Sequence, residues 1–151
     1  MISLPDAPGT YALLLELHSE AQIRVGRFGS HVFPAGRYVY VGSAMGSRGL
    51  AARLARHIRE EKRRFWHIDY LIGAMKIVGI CVDTSGLRQE CLWAQRLATT
   101  ADCRMIVRGF GASDCSCATH LFLVGSKGYV AWRQLGLRLP GFAIADTDSS
   151  N

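Results

Sequence analysis

The chain has no apolar run that approaches the length of a membrane span, which argues against a transmembrane helix. Its first residues, Met1-Ile2-Ser3-Leu4-Pro5-Asp6, lack a basic stretch followed by an apolar one. No secretory signal is read there, and a cytoplasmic location with no membrane partner is expected. Internal repeats and low-complexity stretches are absent too, so neither a repeat array nor a disordered chain is expected. Cysteines number five (Cys81, Cys91, Cys103, Cys115 and Cys117), an odd count in a chain read as intracellular, and disulfides are not expected. Acidic residues are few. Twelve stand against 18 lysines and arginines, leaving a formal net charge of +6 and a pI near 9.4. That excess suits an anionic partner such as nucleic acid or an acidic membrane surface, although a protein that is merely basic carries it equally.

What is present fits one compact domain: 151 residues, 49% of them apolar. We place that domain at 1–142 and read 143–151, AIADTDSSN after Phe142, as a polar tail that frays. Gly9 to Leu17 reads as a buried strand and Gln22 to Val25 as a short one. Arg37 to Val41, RYVYV, is aromatic, β-branched and alternating, hence a strand. After the flexible GSAMGSRG loop, Leu50, Leu54 and Ile58 form one helical stripe. Phe65 to Ile72 reads as a second helix, Lys76 to Val82 as a strand and Leu87 to Ala98 as a helix. Arg104 to Val107 and Leu121 to Val124 read as short strands, while Tyr129 to Leu135 fits strand and helix alike. The order predicts an α+β fold, a small and mostly antiparallel sheet flanked by helices.

Some residue patterns carry chemistry. Alternation along a strand lets Tyr11 and Tyr40 point to the same side of a sheet, though aromatics in strands are also simply good packers. Arg53 and His57, four apart, stand one above the other at the edge of the apolar stripe of their helix. A guanidinium matches phosphate with a planar fork, and an imidazole moves a proton near neutral pH; a solvated helix edge is the plainer account. Glu90 interrupts the stripe Leu87, Trp93, Ala94 and Leu97. A carboxylate there needs a compensating charge, either a hard cation such as Mg²⁺ or the helix N-terminus. Arg48, Arg53, Arg56, Arg59, Lys62, Arg63 and Arg64 are opposed nearby only by Glu60 and Glu61. Such a block neutralises phosphates or forms a solvated face. Phe65-Trp66-His67 beside it offers rings to stack on an unpaired base, or core.

These pieces, in this order, resemble the GIY-YIG nuclease superfamily. Gly9-Thr10-Tyr11 matches the first signature and Tyr40-Val41-Gly42 the second. Arg53 and His57 match the Arg-x-x-x-His helix that follows, and Glu90 stands where the family carries its metal-binding acid. PAGRYVYVGSA at 34–44, FWHIDYLI at 65–72 and GFGASDCSCATHLF at 109–122 are similar to the small Uri-type branch, which occurs alone or fused to DNA-repair enzymes. The resemblance spans roughly residues 8 to 133. It implies an endonuclease that hydrolyses phosphodiester bonds in nucleic acid, with DNA the expected substrate and one Mg²⁺ or Mn²⁺ on Glu90. Arg53 would neutralise the phosphoryl oxygens, and Tyr11 or Tyr40 would help deprotonate water with His57 assisting. Arg48, Arg56, Arg59, Arg63, Arg64 and His67 would bind nucleic acid, and Asp69, Asp114 and His120 would join the site.

Two departures stand out. The connection between the tyrosine motifs is long, so residues 21–34 are expected to add a strand or hairpin. The chain also leaves little room for the extra targeting domain that family members usually have, so specificity is expected to be loose or supplied by a partner, and the resemblance suggests a DNA-repair protein. Two other functions compete. One is a nucleic-acid-binding module that does not cut. The other is an interaction domain stabilised by zinc on Cys115, Cys117 and His120. Against zinc, the spacing is not Cys-x-x-Cys, and a fourth ligand is supplied only if the fold brings Cys103 or His67 close.

Overall fold

The computed structural model describes residues 3–46, 48–59 and 66–141. Six strands form one sheet in the order β6-β7-β4-β1-β5-β8, and every pairing is antiparallel. These are β1 (Gly9–Leu17), β4 (Gly36–Ala44), β5 (Lys76–Asp83), β6 (Cys103–Met105), β7 (Leu121–Val124) and β8 (Leu137–Arg138). Four helices flank them: α1 (Gly49–Ile58), α2 (His67–Ile72), α3 (Glu90–Ala98) and α4 (Ser126–Arg133). The expected α+β architecture is the one observed. The long connection after β1 folds into the separate hairpin of β2 (Ala21–Arg24) and β3 (Ser30–Phe33).

Strand alternation divides the core in two. Tyr11, Leu13 and Leu15 of β1 face α1, α2 and the hairpin, packing with Leu50, Leu54, Ile68, Leu71 and Phe33. Ala12 and Leu14 face the other way, against Trp93 and Leu97 of α3 and Trp132 of α4. The central strand is thus sealed on both faces, which is why its middle, Tyr11 to Leu15, is an unbroken apolar run.

Some boundaries differ from the sequence reading. The helix expected from Leu87 begins at Glu90, and Leu87 is 65% exposed rather than part of the stripe. The cause is Thr10: its hydroxyl donates to Leu87 O and accepts from Gln89 N–H, pinning residues 87–89 outside the helix. Ahead of α2, the Asp69 carboxylate accepts from Trp66 N–H, which starts that helix at His67. Phe65 lies outside the described residues, as do the tail 143–151 and residues 60–64. The strand read at 104–107 occupies Cys103–Met105, and the ambiguous segment at 129–135 is helical through Arg133.

Candidate active site

Where β1 and β4 run out beside α1, their ends and the first residue of α3 surround a cleft of about 570 Å³. Tyr11, Tyr40, Arg53 and Glu90 line it. His57 stands directly behind, fully buried, with Nε2 2.7 Å from the Tyr11 hydroxyl. The two tyrosine rings lie 6.4 Å apart, on the shared face that alternation predicts.

Both signature glycines have a packing reason. A Cβ on Gly42 would lie 2.5 Å from the Tyr11 hydroxyl oxygen, so a side chain there evicts the phenol. One on Gly9 would run into the carbonyl oxygen of Asp83 on the neighbouring β5, with Leu50 2.9 Å away. Burial pushes the pKa of both Tyr11 and Tyr40 above the ordinary phenol value. The Arg53 charge opposes that rise at each ring without overcoming it.

Arg53 donates from Nη1 to Ser43 O at 3.1 Å and lies over the Trp66 ring at 4.1 Å. Arg56 lies over the same ring at 4.0 Å and forms a two-pronged ion pair with Asp69, both contacts 2.8 Å. A second hollow of about 370 Å³ adjoins the cleft, lined by Arg48, Arg53, Arg56 and Trp66. Arg59 is exposed at the end of α1, while Arg63 and Arg64 lie outside the described residues.

Glu90 is the first residue of α3, and its side chain is 19% exposed. The helix N-terminus accounts for part of its tolerance. Among the described residues the carboxylate accepts one hydrogen bond, from Ser43 Oγ at 3.0 Å, and Arg88 Nε stands 4.0 Å away. A carboxylate on the wall of an open polar cleft is a donor of the hard-oxygen kind that a divalent cation such as Mg²⁺ takes.

The further expected residues separate into two groups. His67 and Asp114 line the cleft. His67 Nδ1 accepts from Gly111 N–H at 3.4 Å, and burial lowers its pKa, both consistent with a neutral ring. Asp69 does not line it: it is buried beneath Arg56, where it caps α2. His120 is buried behind Glu90, Nδ1 3.9 Å from the carboxylate, and its Nε2 lies 3.4 Å from Cys115 Sγ. Burial lowers the His120 pKa and Glu90 opposes that fall. Neither Cys103 nor His67 reaches the Cys115 and Cys117 thiols; Cys91, from the first turn of α3, does. Sequence reasoning also passed over Ser43 and Arg88. Both flank recognised positions, Ser43 one residue past the Tyr40-Val41-Gly42 signature and Arg88 two before Glu90, and that adjacency is the only local signal they give.

No curated protein and no solved structure matches this chain. A family model does, over residues 10–133. Its match runs from the second residue of β1 to the last of α4 and takes in every cleft-lining side chain, and the chain belongs to the family described as Domain of unknown function DUF123.

Proposed function

We propose that this chain is a divalent-metal-dependent endonuclease of the GIY-YIG type, hydrolysing phosphodiester bonds in nucleic acid, with DNA the preferred substrate. One observation carries the reading. Tyr11, Tyr40, Arg53 and Glu90, drawn from two strands and two helices, share one polar cleft, with His57 bonded to Tyr11 from behind. Those five residues are of four types, each suited to phosphodiester hydrolysis.

Glu90 would hold Mg²⁺ or Mn²⁺; when bound, the ion supplies a positive centre that polarises the scissile phosphate and stabilises the leaving oxygen. Arg53, one end of its fork already fixed by Ser43 O, neutralises charge building on the phosphoryl oxygens. The buried Tyr11 phenol does not ionise by itself at neutral pH, so it works as a relay. As water attacks phosphorus, its proton passes to the Tyr11 oxygen while the phenolic proton passes to His57 Nε2. Tyr40 orients the water from the adjoining wall. The hollow of Arg48 and Arg56 tracks the neighbouring phosphates, with His67 on the cleft wall beside it. Target choice by a partner, a DNA-repair protein for preference, belongs to the same reading.

The test is cleavage of single-stranded, duplex and branched DNA and of RNA, with Mg²⁺ or Mn²⁺ and with EDTA. Product is expected only with metal, and Glu90→Ala and Arg53→Ala are each expected to lower the rate by about 10²-fold or more while the fold persists. Binding in EDTA with no product on any substrate after metal addition would leave a non-catalytic binding module instead.

A further inference from the structure

Beside the cleft, and unused by the reaction, lies a cluster of three thiols and an imidazole. The Sγ atoms of Cys91, Cys115 and Cys117 and a ring nitrogen of His120 all lie within 4.8 Å of one another. Cys91 belongs to α3, and the other three belong to the loop that runs into β7, so the cluster joins two separate parts of the chain. No disulfide links any of them.

The dimensions suit a tetrahedral ion. With metal–sulfur bonds of about 2.3 Å and metal–nitrogen bonds of about 2.0–2.1 Å, tetrahedral ligands stand about 3.8 Å apart sulfur to sulfur and about 3.6 Å sulfur to nitrogen. The Cys115 Sγ to His120 Nε2 separation is 3.4 Å, and no other separation exceeds 4.8 Å, between thiols that are exposed or half-buried and so free to draw in.

His120 supplies an independent sign. Its ring is buried, yet Nδ1 has no hydrogen-bond partner among the described residues and points at Glu90 Oε2, 3.9 Å away. A buried imidazole normally satisfies both nitrogens. Metal on Nε2 fixes the tautomer with the proton on Nδ1, aimed at a carboxylate, which is the usual arrangement of a metal-bound histidine. Both nitrogens then have a use.

We infer that Cys91, Cys115, Cys117 and His120 form a structural zinc site that fastens the loop before β7 to the start of α3. Three soft thiolates and one imidazole, with no open position, select zinc over the hard cation assigned to Glu90. Because that loop also carries Asp114, and Cys91 adjoins Glu90, the zinc holds two walls of the cleft in register. The inference goes beyond the nuclease reading and is read out without any cleavage.

The experiment is elemental analysis of the full chain purified under reducing conditions, together with Co²⁺ replacement followed by absorption. One zinc per chain is expected, and a Co²⁺ form with thiolate-to-metal charge-transfer bands and the visible bands of a tetrahedral site. Cys91→Ser and Cys117→Ser should lose that stoichiometric metal, whereas Cys103→Ser, outside the cluster, should keep it. Should the two cluster variants fail to fold, chelator titration of the unaltered chain decides: loss of zinc with a fall in Tm, reversed by Zn²⁺ and not by Mg²⁺, is the expected result. Folded, reduced protein with far less than one zinc and no cobalt bands would overturn the site, as would full metal content in both cluster variants.

Discussion

Tyr11 is at once a core residue and the candidate proton relay, and the two roles use different atoms. The ring packs against Tyr40 and His57, with only 1% of the residue exposed, whereas the hydroxyl alone meets His57 Nε2. Tyr11→Phe therefore keeps the packing and deletes the relay. Single-turnover cleavage should fall by about 10²–10⁴-fold while nucleic-acid binding in EDTA stays as it was. A rate within a few-fold of the unaltered chain would remove Tyr11 from the chemistry and leave Tyr40. At this scale the sequence is informative where geometry is local. Strand alternation put Tyr11 and Tyr40 on one face, and a spacing of four put Arg53 beside His57. It is uninformative where the partner is remote. Asp69 was expected at the site, but nothing local to it foretells Arg56, which reaches it from another helix and holds it away. Cys91 escaped attention for the same reason, since its neighbours Cys115 and Cys117 meet it only through the fold.

The start of α3 is set by a strand on the far side of a turn. Thr10 and Tyr11 are consecutive and so face opposite ways: Tyr11 reaches α1, while Thr10 holds residues 87–89 through two hydrogen bonds. Asp83 assists by accepting from Ser85 N–H and from Gln89 Nε2. Thr10→Val has the same shape and neither bond. It should cost about 1–3 kcal/mol of stability, seen as a lower Tm. It should also raise the Mg²⁺ concentration needed for half-maximal cleavage, since Glu90 loses its anchor. Thr10→Ser, which keeps the hydroxyl, should restore the metal requirement; if it does not, Thr10 acts through packing alone. Element ends were the least legible part of the sequence, above all where a distant group supplies the cap. Tyr129 to Leu135 satisfied strand and helix because what decides it is Asp102, whose carboxylate accepts from Lys127 and Gly128 N–H at the start of α4. The hairpin of β2 and β3 was legible in part: Gln22 to Val25 reads as a short strand, and the connection is long enough for a strand or a hairpin.

Over the whole molecule, part of the basic charge lies near the cleft. Arg48, Arg53 and Arg56 share the hollow beside the candidate active site, and among the described residues no helix is long and apolar enough to cross a membrane. If the hollow follows a nucleic-acid backbone, Arg48→Ala should weaken binding to every sequence alike. It should also lower the slope of log affinity against log salt by about 1, measured by anisotropy in EDTA. An unchanged slope would mean that the phosphates run elsewhere. The overall architecture was legible because periodicity carries it, even though the split of β1 between two cores needed the structure.

That central position has a consequence for how the molecule comes into being. β1 is synthesised before its neighbours, yet it pairs with β4 on one side and β5 on the other, residues 36–44 and 76–83. Both contacts are long in sequence, and pairings of that kind slow folding. Until they close, neither the ring of Tyr11 nor the hook of Thr10 has its partners. A chain that has not yet made β4 and β5 therefore lacks the cleft.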